Sequence, residues 1–252
     1  NDPKGVLLSA IAQNRGQTVF TVGHGADCDL QIMGQRFDAL GQEVRFAWKG
    51  VPHQLRLPLI GGFQAENVAL AAGLVIASGD APDKVFGVLT QLSGVRGRME
   101  LAATRRNGTS VFVDYAHTPD ALNTALRALR PHVMGRIVVV FGAGGDRDRT
   151  KRPLMGAAAR ANADVLFVTD DNPRSEDPAS IRAQIMAACP DANEVGDRAE
   201  AILLGVDALQ PGDALLIAGK GHESGQVING AVYPFDDVEQ ASVAVAALDG
   251  LI

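Results

Sequence analysis

An α/β fold with a mostly parallel sheet is predicted for the larger part of this 252-residue chain. Three observations predict it. Short, near-continuous apolar runs at 110–114, 136–141, 164–169 and 214–218 have the composition of strands covered on both faces. Helical stretches at 120–129, 152–161, 178–188 and 198–208 alternate with them, and such alternation builds a parallel sheet with helices on both sides. Each run also ends in a polar loop, and in these sheets ligands sit beyond the carboxyl ends of the strands. The expected architecture is Rossmann-like.

The first 60 residues or so have a different texture. Short β-branched or alternating segments at 18–22, 43–48 and 53–57 predict a small β-rich piece. Gly61-Gly62-Phe63-Gln64-Ala65-Glu66-Asn67 then leads into an Ala/Leu/Val-rich helix ending at Gly79, and a second helix follows Pro82 and stops before Gly94. The strand–loop–helix rhythm begins near residue 98. At 227–235, Asn229-Gly230 in the middle of an apolar stretch predicts a hairpin, and 237–248 a closing helix.

The composition, 46% hydrophobic and 21% charged, is that of a globular protein, in one large or two small domains. A net charge of −6, with no Lys/Arg run longer than two, argues against a nucleic-acid partner. No apolar run is long enough to span a bilayer, and the first residues carry no signal-peptide core, so a cytoplasmic protein without a membrane partner is expected. Cys28 and Cys189 are then expected to be two buried free thiols.

The loops after the four runs carry the chemistry. Asp114-Tyr115-Ala116-His117-Thr118-Pro119-Asp120 presents a carboxylate, a phenol and an imidazole together. Thr118, Pro119 and Asp120 suit a helix start, which needs neither Asp114 nor His117, so these two are ligand candidates. The glycines of Gly142-Ala143-Gly144-Gly145 let backbone amides approach an anion, and Arg147 and Arg149 are forked donors for carboxylate or phosphate. In Asp171-Asn172-Pro173-Arg174, Asp171 can pair with an ammonium and Arg174 with a carboxylate, as the zwitterionic end of an amino acid requires; equally, the two can pair with each other in a turn. In Gly219-Lys220-Gly221-His222-Glu223 the glycines permit a sharp turn from which His222 and Glu223 project.

Taken in order, DYAHTPDAL, GAGGDRDRTKRPLM, DNPRSEDP and GKGHE resemble the Mur ligases. Gly61–Asn67 with the helix after it, and Gly97-Arg98-Met99-Glu100, resemble the end of that family's central ATPase domain and its junction with the C-terminal domain. The likeness is strong from about residue 58 onward and loose before, where a β-rich insertion and Asn1-Asp2 are left to compare. The resemblance implies residues 1–97 as the remainder of the ATP-binding domain and 98–252 as a Mur ligase C-terminal domain, a Rossmann-like α/β unit. It implies ATP-dependent amide formation in peptidoglycan precursor synthesis. The D-Glu carboxylate of UDP-N-acetylmuramoyl-L-Ala-D-Glu is phosphorylated, and the amine of a diamino acid displaces phosphate, with Mg²⁺ and ATP as cofactors.

Family members with DNPR at the third loop add meso-diaminopimelate, whose second carboxylate calls for a guanidinium; lysine-adding members depart at the arginine. The resemblance carries the amino-acid site to Arg147, Asp171, Asn172, Pro173, Arg174, Gly219 and Glu223, and the ATP-facing set to Asn67, Arg98, Asp114 and His117. The family's P-loop is absent, since Gly219-Lys220-Gly221 lacks its spacing, and so is its metal-site lysine. The chain is therefore expected to lack the N-terminal half of its enzyme, to hold no metal, and to catalyse by positioning alone. The rivals are a lysine-adding, other Mur or folylpolyglutamate-type ligase, a dinucleotide oxidoreductase, which the missing GxGxxG opposes, and a non-catalytic binding module.

Overall fold

The structure, a computed structural model, describes residues 3–252, so Asn1-Asp2 lie outside the described residues. The chain divides into two compact units, Asn1–Ser93 and Gly94–Ile252.

In the first unit, α1 (Pro3–Asn14) precedes a four-stranded sheet of β1 (Val22–Gly23), β2 (Leu30–Asp38), β3 (Gly41–Trp48) and β4 (Val51–Leu57), in that order. Strands β2, β3 and β4 form an antiparallel meander. Then come α2 (Phe63–Ala77), α3 (Pro82–Val88) and a 3₁₀ turn, Leu89–Gln91. Ala65, Ala69 and Ala72 recur at helical spacing on α2, and with Val68 they join Leu30, Ile32, Val44, Phe46 and Leu57 of the sheet in one core. The predicted strand at 18–22 shrinks to Val22–Gly23, and neither α1 nor β2 was anticipated. The reasons are physical. On α1, Val6, Leu7 and Leu8 are all exposed, so no buried stripe marks it as a helix. On β2 the register shifts between Ile32 and Gly34, which breaks the alternation a strand would show.

The second unit holds a six-stranded sheet in the order β5-β6-β10-β7-β8-β9. Its elements are β5 (Glu100–Thr104), β6 (Ser110–Asp114), α4 (Pro119–Leu129), β7 (Ile137–Phe141), α5 (Lys151–Asn162), β8 (Val165–Val168), α6 (Pro178–Met186), β9 (Asn193–Glu194), α7 (Arg198–Asp207) and β10 (Ala214–Ala218). The hairpin β11 (Gly225–Ile228) and β12 (Ala231–Pro234) and the helix α8 (Asp237–Leu248) complete it. All pairings in the large sheet are parallel except that of β5 with β6. Val111, Val113, Val138, Val140, Leu215 and Ile217 pack with Ala201, Ile202 and Val206 of α7 and Ala241 and Val245 of α8. The alternate residues Phe112, Val139 and Leu216 are equally buried and point to the opposite face, as a period of two requires.

Strand β10 lies between β6 and β7, which puts the loops after β6, β7, β8 and β10 along one carboxyl edge. Two of these loops meet backbone to backbone. Gly145 N donates to Asn172 O at 2.9 Å. A Cβ on Gly142 would overlap the Thr169 carbonyl oxygen, and one on Gly145 the Pro173 carbonyl oxygen. The glycines are therefore needed for close approach, as expected, but the backbone they approach is the neighbouring loop. Glu176 locks the pair: its carboxylate accepts from Arg152 at 2.8 and 3.1 Å and from the Asp146 amide at 2.6 Å, and lies 3.1 Å from Arg149 Nη2. Hydrogen bonds from Arg152 and the Asp146 amide hold its carboxyl down to about 2. Arg149, read as a forked donor for a ligand, is thus engaged by Glu176.

A second clamp is fully buried. Arg198, at the start of α7, donates to Asp237, at the start of α8, at 2.8 and 2.7 Å, and to Ala218 O at 3.1 Å. It fastens the end of β10 to two helices. Cys189 is buried as expected, whereas Cys28 is only half-buried; both are free.

Two outcomes follow from the loop contact. Gly145→Ala forces a methyl group onto a carbonyl that has no rotamer to escape into, so urea unfolding should show a loss of about 1–3 kcal/mol. Glu176 has a folded-state value near 2, below its unfolded value of about 4.3, so its contribution is complete above about pH 5 and disappears as pH falls through 4 toward 2. The stability gap between the wild type and Glu176→Gln should narrow over that window; a gap independent of pH excludes the clamp.

Candidate functional site

The four loops enclose a cleft of about 1060 Å³, the open water at its mouth included. Arg147, Asp171, Asn172, Arg174, Gly219 and Glu223, six of the seven residues of the expected amino-acid site, line it. Pro173 does not; it is buried where the DNPR loop presses on Gly145.

Arg174 is the most constrained of the six. Its φ is +53°, left-handed backbone that a non-glycine residue rarely adopts. The hairpin imposes this conformation: Arg174 N donates to Val227 O at 2.9 Å and Asn229 N donates to Arg174 O at 2.7 Å. The guanidinium donates to Gly145 O at 2.8 Å and to Asn172 O at 3.4 Å. Its hydrogen-bond partners are thus carbonyls of its own and the glycine loop, and the alternative turn in which it pairs with Asp171 does not form.

Asp171 is 5% exposed, and its Oδ1 has no hydrogen-bond partner. The nearest cation is Lys220, whose Nζ lies 3.6 Å from Asp171 Oδ1 and 3.6 Å from Glu223 Oε2. Asn172 is spoken for on three sides. Its Oδ1 accepts from Lys220 Nζ at 3.1 Å and from Val227 N at 2.9 Å, and its Nδ2 donates to Glu223 Oε2 at 3.0 Å. Gly219, at φ +121°, lets Asp171 approach, since a Cβ there would lie 2.8 Å from Asp171 Oδ2.

The expected nucleotide-facing residues divide. Asn67 belongs to the first unit, where it lines a separate groove with Val68, Ala71 and Lys84. Arg98, Tyr115 and His117 cluster in the second: the Arg98 guanidinium sits 4.8 Å from the Tyr115 ring centroid, and the Tyr115 and His117 rings meet edge to face at 4.5 Å. His117 and Tyr115 line the same cleft as the six residues above. His117 Nδ1 is 2.9 Å from Tyr115 O, and a carbonyl only accepts, so Nδ1 carries the proton. Asp114 is an anchor, since both its oxygens accept backbone amides, Met99 N and Ala116 N, each at 2.8 Å. Burial pushes its carboxyl up from the usual range, while those amides pull it down. Thr118 caps α4 by accepting from Ala121 N, with Pro119 in the first turn, as the sequence predicts.

Two cations were not singled out from sequence. Lys151, the first residue of α5, lines the cleft and donates to His117 O at 2.8 Å; burial lowers its pKa, and Asp171 partly opposes this. Its place at a helix start after a glycine loop was a usable signal. Lys220 is completely buried, and burial likewise lowers its pKa against the pull of Asp171. Nothing in the sequence marks it as internal except the apolar strand that runs into it. Among the described residues no group of three or more His, Cys, Asp or Glu side chains could hold a metal ion, and no helix is long and apolar enough to cross a membrane.

Comparison with known proteins places this geometry. Residues 97–221 match the family model described as Mur ligase, glutamate ligase domain. The UDP-N-acetylmuramoyl-L-alanyl-D-glutamate–2,6-diaminopimelate ligase of Caulobacter vibrioides is 51% identical over 242 residues, 96% of this chain and 50% of that protein. The ligase of the same name from Zymomonas mobilis is 47% identical over 97% of this chain and 51% of its own length. The chain thus spans about half the length of the curated relatives it matches. A solved structure of a ligase of that name superposes with a TM-score of 0.73 at 34% identity, over 96% of this chain and 51% of that one. A Mycobacterium tuberculosis folylpolyglutamate synthase shares the fold, with a TM-score of 0.64 at 21% identity, over 97% of this chain and 52% of that one. With its Rossmann-like sheet, its four glycine- and charge-rich loops and these relatives, the chain carries over residues 97–221 a domain of the Mur ligase family.

Proposed function

We propose that this chain is the C-terminal, amino-acid-binding half of a cytoplasmic ligase of peptidoglycan synthesis, and that the whole enzyme adds meso-diaminopimelate to UDP-N-acetylmuramoyl-L-Ala-D-Glu. In this reading residues 1–97 complete the ATP-binding domain and 98–252 form the amino-acid domain. The observation that carries it is the composition of the cleft: the Arg147 and Arg174 guanidinium groups share it with the Asp171 and Glu223 carboxylates and the Asn172 amide, with Asp148 and Lys151 also in its lining. A diamino dicarboxylate needs such mixed recognition, with forked donors for a carboxylate and acceptors for an ammonium. L-Lysine has no second carboxylate for Arg174.

The phosphate-cradling P-loop is assigned to the other half, where ATP would supply the phosphoryl group to the D-Glu carboxylate, and this chain presents the amine that displaces phosphate. Arg174 and Arg147 hold the distal carboxylate, and Asp171 and Glu223 receive the distal ammonium. Fixing that end in a rigid cleft fixes the direction of the amine that attacks, which raises its effective concentration. Tyr115 and His117, with Arg98 over the Tyr115 ring, meet the nucleotide on their side of the cleft, whereas Asp114 holds the 97–99 turn in place. In this reading Mg²⁺, like the P-loop, belongs to the other half.

Two experiments test this reading. The chain by itself, given ATP, the UDP-muramoyl dipeptide and meso-diaminopimelate, should release phosphate only at background; turnover like that of a full-length ligase contradicts the division of labour. In the full-length ligase, Arg174→Ala should weaken meso-diaminopimelate binding by about 2–5 kcal/mol while sparing ATP, the range for truncating one partner of a buried hydrogen-bonded charge pair. Arg174→Lys should recover little, because an ammonium cannot make two parallel bonds. Kinetics for meso-diaminopimelate unchanged by the alanine substitution reject the substrate assignment.

A further inference from the structure

Lys220 has no solvent exposure, yet its ammonium touches three cleft residues from two loops. It donates to Asn172 Oδ1 at 3.1 Å and lies 3.6 Å from both Asp171 Oδ1 and Glu223 Oε2. The two carboxylates are thus within reach of one nitrogen, and among the described residues no other Lys or Arg nitrogen lies within 4.0 Å of either, since Arg198 is committed to Asp237 at 2.7 Å. Counting charges, the Arg198–Asp237 pair is neutral, and Lys220 offsets one of the two carboxylates. Among these directly paired groups one negative charge is left over, which Lys151, Arg147 and Arg174 elsewhere in the cleft face only from beyond ion-pair distance. Asp171 Oδ1 is a buried acceptor without a hydrogen-bond partner, an arrangement that costs free energy until a donor arrives.

We propose that Lys220 is a positioning residue for the incoming amino acid, an internal counter-ion that holds Asp171, Asn172 and Glu223 in one arrangement whose remaining negative charge accepts a single ammonium. This rests on the reading that the cleft binds a diamino acid. Lys220 acts through its neighbours rather than on the ligand. Its ammonium can only donate, so it turns the Asn172 oxygen inward; the Asn172 amino group then donates to Glu223 and steadies that more exposed carboxylate. Without Lys220, the Asn172 oxygen and the two carboxylates would lose the one cation that contacts all three. Their shared arrangement, and with it the acceptor pair for the ammonium, would be lost.

The test uses the full-length ligase and two amino acids: meso-diaminopimelate, and 2-aminopimelate, which lacks only the distal ammonium. In Lys220→Met, KM for meso-diaminopimelate should rise at least tenfold, KM for 2-aminopimelate no more than about twofold, and KM for ATP should stay within twofold. Lys220→Gln keeps a donor toward Asn172 and should fall between Lys220→Met and the wild type; it also serves if the methionine variant does not accumulate folded. A merely structural lysine would lower the melting temperature and the active fraction while leaving every KM in place, and that result overturns the proposal, as does an equal rise for both amino acids. A wild-type enzyme that uses the two amino acids equally well removes the diamino-acid reading itself, and this inference with it.

Discussion

Ala218 at the end of β10 lies opposite Asp114 of β6, and Ile217 lies opposite Val140 of β7. Everything at the cleft depends on this pairing. By entering between β6 and β7, β10 delivers Gly219, Lys220 and Glu223 between the DYAH loop on one side and the glycine and DNPR loops on the other. The sheet is buried on both faces, so its strands have one register that buries their apolar residues, and the loops inherit that precision. Gly221 shows how close the fit is: a Cβ there would lie 2.7 Å from Tyr115 Cβ.

Around that frame the polar groups fix geometry more than they add stability. A buried ion pair loses solvation that its Coulomb attraction only partly returns, so Arg198–Asp237 is weak evidence for a stable fold. Its geometry is nevertheless specific, because one guanidinium ties α7, α8 and the end of β10 together. The Glu176 carboxylate does the same for the glycine and DNPR loops, and Asp114 for the turn carrying Met99, whose φ is +47°. The Asp114, Glu176 and Asp237 carboxylates therefore hold backbone or arginines, whereas Asp171 and Glu223 line the cleft beside Lys220.

The sequence made the interior of this sheet legible and its margins opaque. Buried parallel strands are unbroken apolar runs, and β6 and β10 coincide with the runs at 110–114 and 214–218. The hairpin turn at Asn229-Gly230 and the α8 limits were also readable, since each rests on local chemistry. Strand β5 was not, because it is an antiparallel edge strand with Leu101 half exposed and a register shift after it. Strand β9 has only two residues and carries no pattern. At the cleft, residue types gave the loops, while partners needed coordinates: that Arg174 would turn from Asp171 toward two carbonyls, or that Lys220 would lie wholly inside, depends on contacts between segments far apart in the chain.

Position 174 sits in a backbone shape that its own side chain did not choose. The carbonyl of Val227 and the amide of Asn229 hold it from one side, as if it were a residue added to the hairpin. The hairpin and the loop therefore form a socket, and the side chain is what is plugged into it. Evolution or design can exchange that side chain without rebuilding the socket, provided the newcomer tolerates left-handed backbone, as glycine and asparagine do and β-branched residues do not. On the proposed reading of the cleft, substrate preference is then a separable trait, inherited at one position while the fold is inherited everywhere else.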